Sequence, residues 1–404
     1  MSAPLPLEEA QQRLLAQAPL LPFEHVAVED TLGRYLAEPL TARRQQPAAD
    51  MSAMDGYALV TDDLAGPWRV VGESAAGHPF AGTLGKGEAL RISTGALMPA
   101  GAGVVLMQED CAREGDALRL TGTPPSPQDR HIRRAGFDFA EGHALLPAGA
   151  KIGPAQIALA LMAGHTHLPV RRRPRVAIID SGDELARKGQ ACAPHQIPAS
   201  NGAMLAAMVA SVASKSLRLG PVADDCDALV AALEEASDAD VIVTSGGASV
   251  GDHDLIRPAL ERWGAQIAFW KVAIRPGKPL LIARRGDQVV IGLPGNPVSS
   301  LVTAYLFLLP LLRAMLGAAR PMPKVVDAVL DGALPAGGDR REFLRGAWDG
   351  ARVVPQMMRD SSALAAMAVS NCLIERPAGA SSAQAGDRVR IYLLENGGGW
   401  LSNA

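Results

Sequence analysis

The sequence predicts a central α/β domain with a mostly parallel sheet, set between a mixed N-terminal region and a small C-terminal β-barrel. Three observations carry this. Between residues 176 and 297, apolar Val/Ile runs recur, each followed by a glycine turn and then a helical pattern, the signature of βα units. From 41 to 147, short β-like pieces such as Trp68-Arg-Val-Val and Gly103-Val-Val-Leu-Met alternate with many Gly and Pro residues. After Pro321-Met-Pro-Lys, β-like runs return at Val325–Leu330 and Val389–Leu394 with glycine breaks, as in a small barrel.

The elements follow in order. Leu5-Pro-Leu-Glu-Glu-Ala opens an amphipathic helix, and Thr31-Leu-Gly-Arg-Tyr-Leu-Ala reads as a second one. A further helix spans Ile152 to Gly164, and Arg171-Arg-Arg-Pro-Arg is a basic junction. Asn201 to Leu217 carries Ala and Met at helical spacing, which predicts packing, and Asp225 is placed to cap a helix running to Ser237. The expected domains are 1–170 (helical segments 1–40 and 148–168 around a β-rich 41–147), 171–320 and 321–404.

At 404 residues the chain exceeds one ordinary core. Its 48% hydrophobic and 20% charged content is globular rather than disordered. A net charge of −3 argues against a general nucleic-acid or anionic-membrane binder. Cys111, Cys192, Cys226 and Cys372 form no C-x-x-C pair, which fits a reducing cytoplasm rather than a disulfide scaffold or a zinc site. The first ten residues lack the basic start and apolar core of a signal peptide. Ser299–Met315 is apolar enough to mimic a membrane span. Pro310, Arg313 and the preceding Gly-Asn-Pro turn point instead to a buried helix, so no membrane role is expected.

Four loops hold the residue types that bind anionic phosphate esters, and the carboxyl ends of parallel strands share one edge, so all four are expected in one crevice. Ser245-Gly246-Gly247, with Ser249 and Gly251 beyond, can present backbone N–H groups to a phosphate, or can be a tight βα turn. Asp252 and Asp254 suit Mg²⁺, a hard cation that prefers oxygen; either could instead cap the helix that follows. Lys271, Arg275 and Lys278 place three cations around a proline-stiffened Pro-Gly-Lys-Pro loop. Pro294-Gly295-Asn296-Pro297 is a rigid turn before a buried helix whose N-terminus could face an anion. Asp183-Glu184 is a helix start or a second acidic contributor, and Asp224-Asp225 reads as an N-cap pair. The turns holding Asp55 and Thr94 show no mechanism from spacing.

Six ordered stretches resemble one family. They are Ser52-Ala-Met-Asp-Gly-Tyr-Ala, Arg91-Ile-Ser-Thr-Gly, Ser181-Gly-Asp-Glu-Leu, Thr244-Ser-Gly-Gly-Ala-Ser-Val-Gly-Asp-His-Asp254, Lys271-Val-Ala-Ile-Arg-Pro-Gly-Lys-Pro279 and Gly292-Leu-Pro-Gly-Asn-Pro-Val-Ser299. Together they are similar to the molybdopterin molybdotransferases, the molybdate insertases that include the E domain of gephyrin. The resemblance implies an elongated four-part subunit and a homodimer with shared active sites. It implies insertion of molybdate into adenylyl-molybdopterin with Mg²⁺ and release of AMP, downstream of a molybdopterin adenylyltransferase partner. The family's functional positions fall on Asp55, Thr94, Glu184, Asp224, Asp254, Lys271, Arg275, Lys278, Pro294 and Pro297, with Glu184, Asp224 and Asp254 as the metal set. The chain departs from the family pattern at Arg275, Ala199, Asp180 and Phe137. Two other functions use related folds: adenylyl transfer, whose Gly-Gly-Thr-Gly loop is replaced here by Gly-Gly-Ala-Ser-Val-Gly-Asp, and a non-catalytic scaffold dimer.

Overall fold

The computed structural model describes residues 4–187, 189–246, 255–358 and 360–395. Its centre is a six-stranded sheet in the order Ser216–Val222, Val176–Ser181, Val241–Ser245, Gln288–Leu293, Leu281–Arg285, Gln266–Trp270. Val176–Ser181 and Val241–Ser245 are buried at every position, as strands covered on both faces must be. One face packs on helices Leu7–Ala16, Asn201–Val209 and the long segment from Pro297 to Met315. The other packs on Cys226–Glu235 and Ile256–Arg262. Asp225 caps the first of these two helices through the Ala228 N–H.

The sheet is mixed. The first four strands in that order are parallel, but Leu281–Arg285 runs antiparallel to both neighbours. Arg285 pairs with Gln288, so Gly286-Asp287 closes a hairpin, a link too short for the crossover a parallel pair needs. Gln266–Trp270 recovers the parallel direction and brings Lys271 to the same edge as Ser181, Ser245 and Leu293.

The apolar stretch is a core helix, with 89% of its most apolar window buried. A π-turn at Ala304–Leu308 precedes Pro310, whose missing N–H such a turn accommodates. The expected second helix near Thr31 does not form. Only a 3-10 turn, Val28–Thr31, is present, and Gly33, at φ +76°, turns the chain into bridges from Tyr35 and Leu36 to Lys151 and Val170. At the basic junction, Arg172 clamps Asp240 with two bonds of 2.9 Å.

The first helix leaves its sequence neighbours and packs on the central domain, where Gln11 donates to Leu306 O at 2.9 Å. The β-rich part of the N-terminal region is a six-stranded sheet in the order Ala102–Met107, Gly56–Val60, Glu88–Ile92, Trp68–Ser74, Ala117–Leu120, Cys111–Glu114. Near the C-terminus, Arg341–Trp348, Arg352–Pro355, Val325–Leu330, Arg388–Leu393 and Cys372–Arg376 close into a five-stranded barrel, since the last also pairs with the first.

Candidate functional site

At the sheet edge three strand ends are drawn together by close backbone contacts. Gly246 sits at φ +103°, where a Cβ would stand 2.3 Å from Ser181 O, so only glycine fits between these strand ends. Asn201 then ties the loops: its Nδ2 donates to Ser245 Oγ at 2.9 Å and to Gly295 O at 2.7 Å. The resulting crevice is lined by Asp180, Ser181, Glu184, Asn201, Ser245 and Gly246, with Gly295 and Pro297 on its far wall. Asp180 is buried and accepts the Gly202 N–H at 3.1 Å; burial pushes its carboxyl above the ordinary value. Glu184 is exposed at the rim.

Asp224 does not act as a second cap. It exchanges bonds with Asp183: the Asp183 N–H donates to Asp224 Oδ2 at 3.4 Å, and the Asp224 N–H to Asp183 Oδ1 at 3.2 Å. Acidic side chains thus gather on the loops after two adjacent strands. Among the described residues, however, no three His, Cys, Asp or Glu side chains form a metal-ready group. Gly247, Ser249, Gly251 and Asp254 lie outside the described residues.

The cationic loop faces another cavity. Gly277, at φ +99°, packs so closely on the Pro297–Thr303 helix that a Cβ would lie 2.3 Å from Thr303 Cγ2. Ile274–Arg275 pairs in parallel with the barrel strand Arg341–Trp348, and Arg275 reaches the buried Glu342 at 3.2 Å. Between loop and barrel lies a cavity of about 340 Å³. Its charged lining is Arg275, Lys278, Arg340 and Arg345 against Glu342 and Asp360. Arg345 is buried and donates to Met358 O and to Ala363 O, which places Met358 and its neighbours Asp360 and Ser361 along one wall. That wall is latched to the central domain: Asn296 Nδ2 donates to Ser361 Oγ and the Val298 N–H to Ser361 O, both at 3.1 Å.

Among the described residues, the cationic loop and the acidic loops therefore share an edge but line two cavities. The Pro294–Pro297 turn divides them, Gly295 and Pro297 facing the acidic side, Val298 and Ser299 the cationic side. Pro294 itself is buried under the turn. Lys271 is half-buried and lines neither cavity among the described residues. It sits at φ +92°, a backbone a non-glycine residue adopts only under constraint; its N–H donates to Leu280 O and its carbonyl accepts from Leu5 N.

Asp55 and Thr94 meet in the N-terminal β-sheet. The Thr94 N–H donates to Asp55 Oδ1 at 2.6 Å, and this bond holds the Asp55 carboxyl below its ordinary value. Arg91 braces the turn, donating to Gly56 O and Gln108 Oε1 and stacking over Tyr57. The pair is exposed and lines neither cavity.

Comparison with known proteins accounts for this layout. The family described as MoeA N-terminal region (domain I and II) matches residues 5–164, the probable molybdopterin binding domain residues 177–314, and the MoeA C-terminal region (domain IV) residues 327–394. A molybdopterin molybdenumtransferase of Bacillus subtilis is 33% identical over 413 residues, covering 98% of this chain and 96% of that protein. The chain belongs to the molybdopterin molybdenumtransferase family. A relative of the same name from Haemophilus influenzae is 32% identical, covering 96% of this chain and 98% of its own. The solved structure of a molybdopterin biosynthesis MoeA protein from Pyrococcus horikoshii OT3 superposes with a TM-score of 0.83 at 26% identity, over 97% of this chain and 100% of that one. Family membership makes the chain a transferase.

Sequence reasoning did not single out Asn201, Arg340, Arg345, Glu342 or Ser361. The barrel residues had no local signal, since they become part of the cavity only when the barrel docks on the loop. Asn201 could be seen only as the residue after Ala199-Ser200.

Proposed function

We propose that this chain transfers molybdenum from molybdate to molybdopterin, in its adenylylated form, with release of AMP. The observation that carries the reading is the cation-rich cavity between the Arg275–Lys278 loop and the barrel. An oxyanion and a phosphate-linked pterin repel each other, and an excess of fixed positive charge offsets that repulsion. Lys278 is exposed to the cavity and is suited to the entering oxyanion, while Arg275 is held by Glu342. Charge fixed in advance stabilises a developing anion more than charge that must reorganise.

Mg²⁺ belongs to the same proposal. Glu184 and Asp224 offer hard oxygen donors on neighbouring loops and would hold the metal together with Asp254. Bound there, it would supply neutralisation of phosphate charge. In a homodimer, Asp55 and Thr94 would complete the partner subunit's site, which explains a carboxylate fixed by a backbone N–H yet remote from both cavities of its own chain. A molybdopterin adenylyltransferase would supply the substrate, and a cytoplasmic location would suit four free thiols.

The test is direct. Purified protein given adenylyl-molybdopterin and Mg²⁺ should release AMP only when molybdate is added. Given ATP and free molybdopterin, it should form no adduct. Adduct formation, or AMP release without molybdate, would overturn the assignment in favour of adenylyl transfer or simple hydrolysis.

A further inference from the structure

Asp180 has no part in the transfer described above, yet it is among the most constrained polar groups of the crevice. It is 5% exposed, its Oδ2 accepts the Gly202 N–H, and among the described residues its Oδ1 is buried without a partner. Two further buried oxygens of the same lining are also unpartnered, Ser181 Oγ and Asn201 Oδ1. The Asn201 amide nitrogen already serves Ser245 Oγ and Gly295 O, which fixes the side chain's orientation and leaves its carbonyl oxygen over. Among the described residues no cation lies in ion-pair contact with Asp180. Arg218, on the adjacent strand, is exposed and acts only through space, and the rim acid Glu184 adds further negative charge. The crevice offers about 30 Å³, room for a single ion or water rather than a ring.

We propose that the crevice floor binds one monovalent cation, of the Na⁺ or K⁺ class, through Asp180 Oδ1 and the lining oxygens of Ser181 and Asn201. Donors that are all oxygen select a hard cation over a soft one. A single buried carboxylate with neutral oxygens around it matches one unit of positive charge, whereas divalent sites draw on several carboxylates. Burying a lone carboxylate is unfavourable unless it is paired, and a bound cation supplies the pairing. It would also lift the repulsion that an anionic substrate meets at this edge. Cation binding here needs no substrate, so its success or failure is separate from that of the proposed transfer.

Thermal unfolding at constant ionic strength tests it, with choline chloride replaced in turn by NaCl, KCl or a low concentration of MgCl₂. The native chain should melt roughly 2 °C or more higher in Na⁺ or K⁺ than in choline, because an ion that binds only the folded state stabilises it. Asp180→Asn keeps an oxygen for the Gly202 N–H but loses the charge, and should lose the response. Asp180→Ser should lose it as well, which guards against one variant that fails to fold. Equal melting in choline and in both monovalent ions would overturn the proposal, as would a response kept by both variants. So would a response to Mg²⁺ alone.

Discussion

The two cavities on the sheet edge differ in charge, in construction and in how they depend on the rest of the molecule. The crevice at Asp180, Glu184 and Asn201 is acidic and built within the central domain, from strand ends that adjoin in the sheet. The cavity at Arg275, Lys278, Arg340 and Arg345 is cationic and needs the barrel for half of its wall. The Pro294–Pro297 turn divides them, bonded to Asn201 on one side through Gly295 O and to Ser361 on the other through Asn296. Carboxylates and cations are thus kept apart along one edge of the sheet. A substrate carrying both phosphate and a metal-accepting end could span the two.

If the cationic cavity carries the chemistry, removing its exposed charge should have the largest effect. Lys278→Ala should lower molybdate-dependent AMP release by about 100-fold or more, the usual loss for one preorganised oxyanion donor. Because Lys278 is exposed, Tm should hold within a degree or two in a calorimetric scan. A turnover near the native value would move the chemistry to the acidic side.

Next comes the joint between the two. Gly277→Ala places a methyl group against Thr303 and forces a left-handed backbone on alanine, at about 1–3 kcal/mol for the conformation alone. It should lower the urea midpoint and the activity together. Full activity in a destabilised protein would show that the loop position does not set the cavity.

Subunit mixing sharpens the comparison with the N-terminal sheet. Inactive Asp55→Ala and inactive Lys278→Ala chains, exchanged at random, should regain about a quarter of native activity, since half the dimers then carry one intact site of two. No recovery after proven exchange would place Asp55 outside a shared site.

The smallest effect concerns stability. Burial raises the folded-state pKa of Asp180 above its unfolded value, so the native chain loses stability as pH rises through the carboxylate range. In choline, Asp180→Asn should therefore match the native chain in acid and gain a modest advantage as pH rises towards neutrality. An advantage confined to acid would reverse the sign and contradict the unpaired, buried carboxylate.

How much of this could be read from the sequence depended on whether the signal was local. The Val/Ile runs and the Asp225 cap declare themselves over a few residues, and the structure has them as strands of the central sheet and as the cap of Cys226–Glu235. The helix expected after Thr31 was lost to one left-handed residue, Gly33. The mostly parallel central sheet is as expected, and the hairpin at Gly286-Asp287 supplies its antiparallel strand. The separation of the cationic cavity from the acidic crevice could not be seen, because it depends on Ser361 meeting Asn296 and Val298 across more than sixty residues of sequence. Asp180 was visible as a departure from the family, but that its Oδ1 is unpartnered depends on the packing of Gly202 and Asn201.

The division of labour between the cavities is tested most directly by calorimetric titration of molybdate into the protein in the absence of pterin. The native chain should bind one molybdate per subunit, and Lys278→Ala should weaken that binding by at least about tenfold, the equivalent of 1.4 kcal/mol. Unchanged affinity in Lys278→Ala would contradict the assignment of the cationic cavity as the molybdate site.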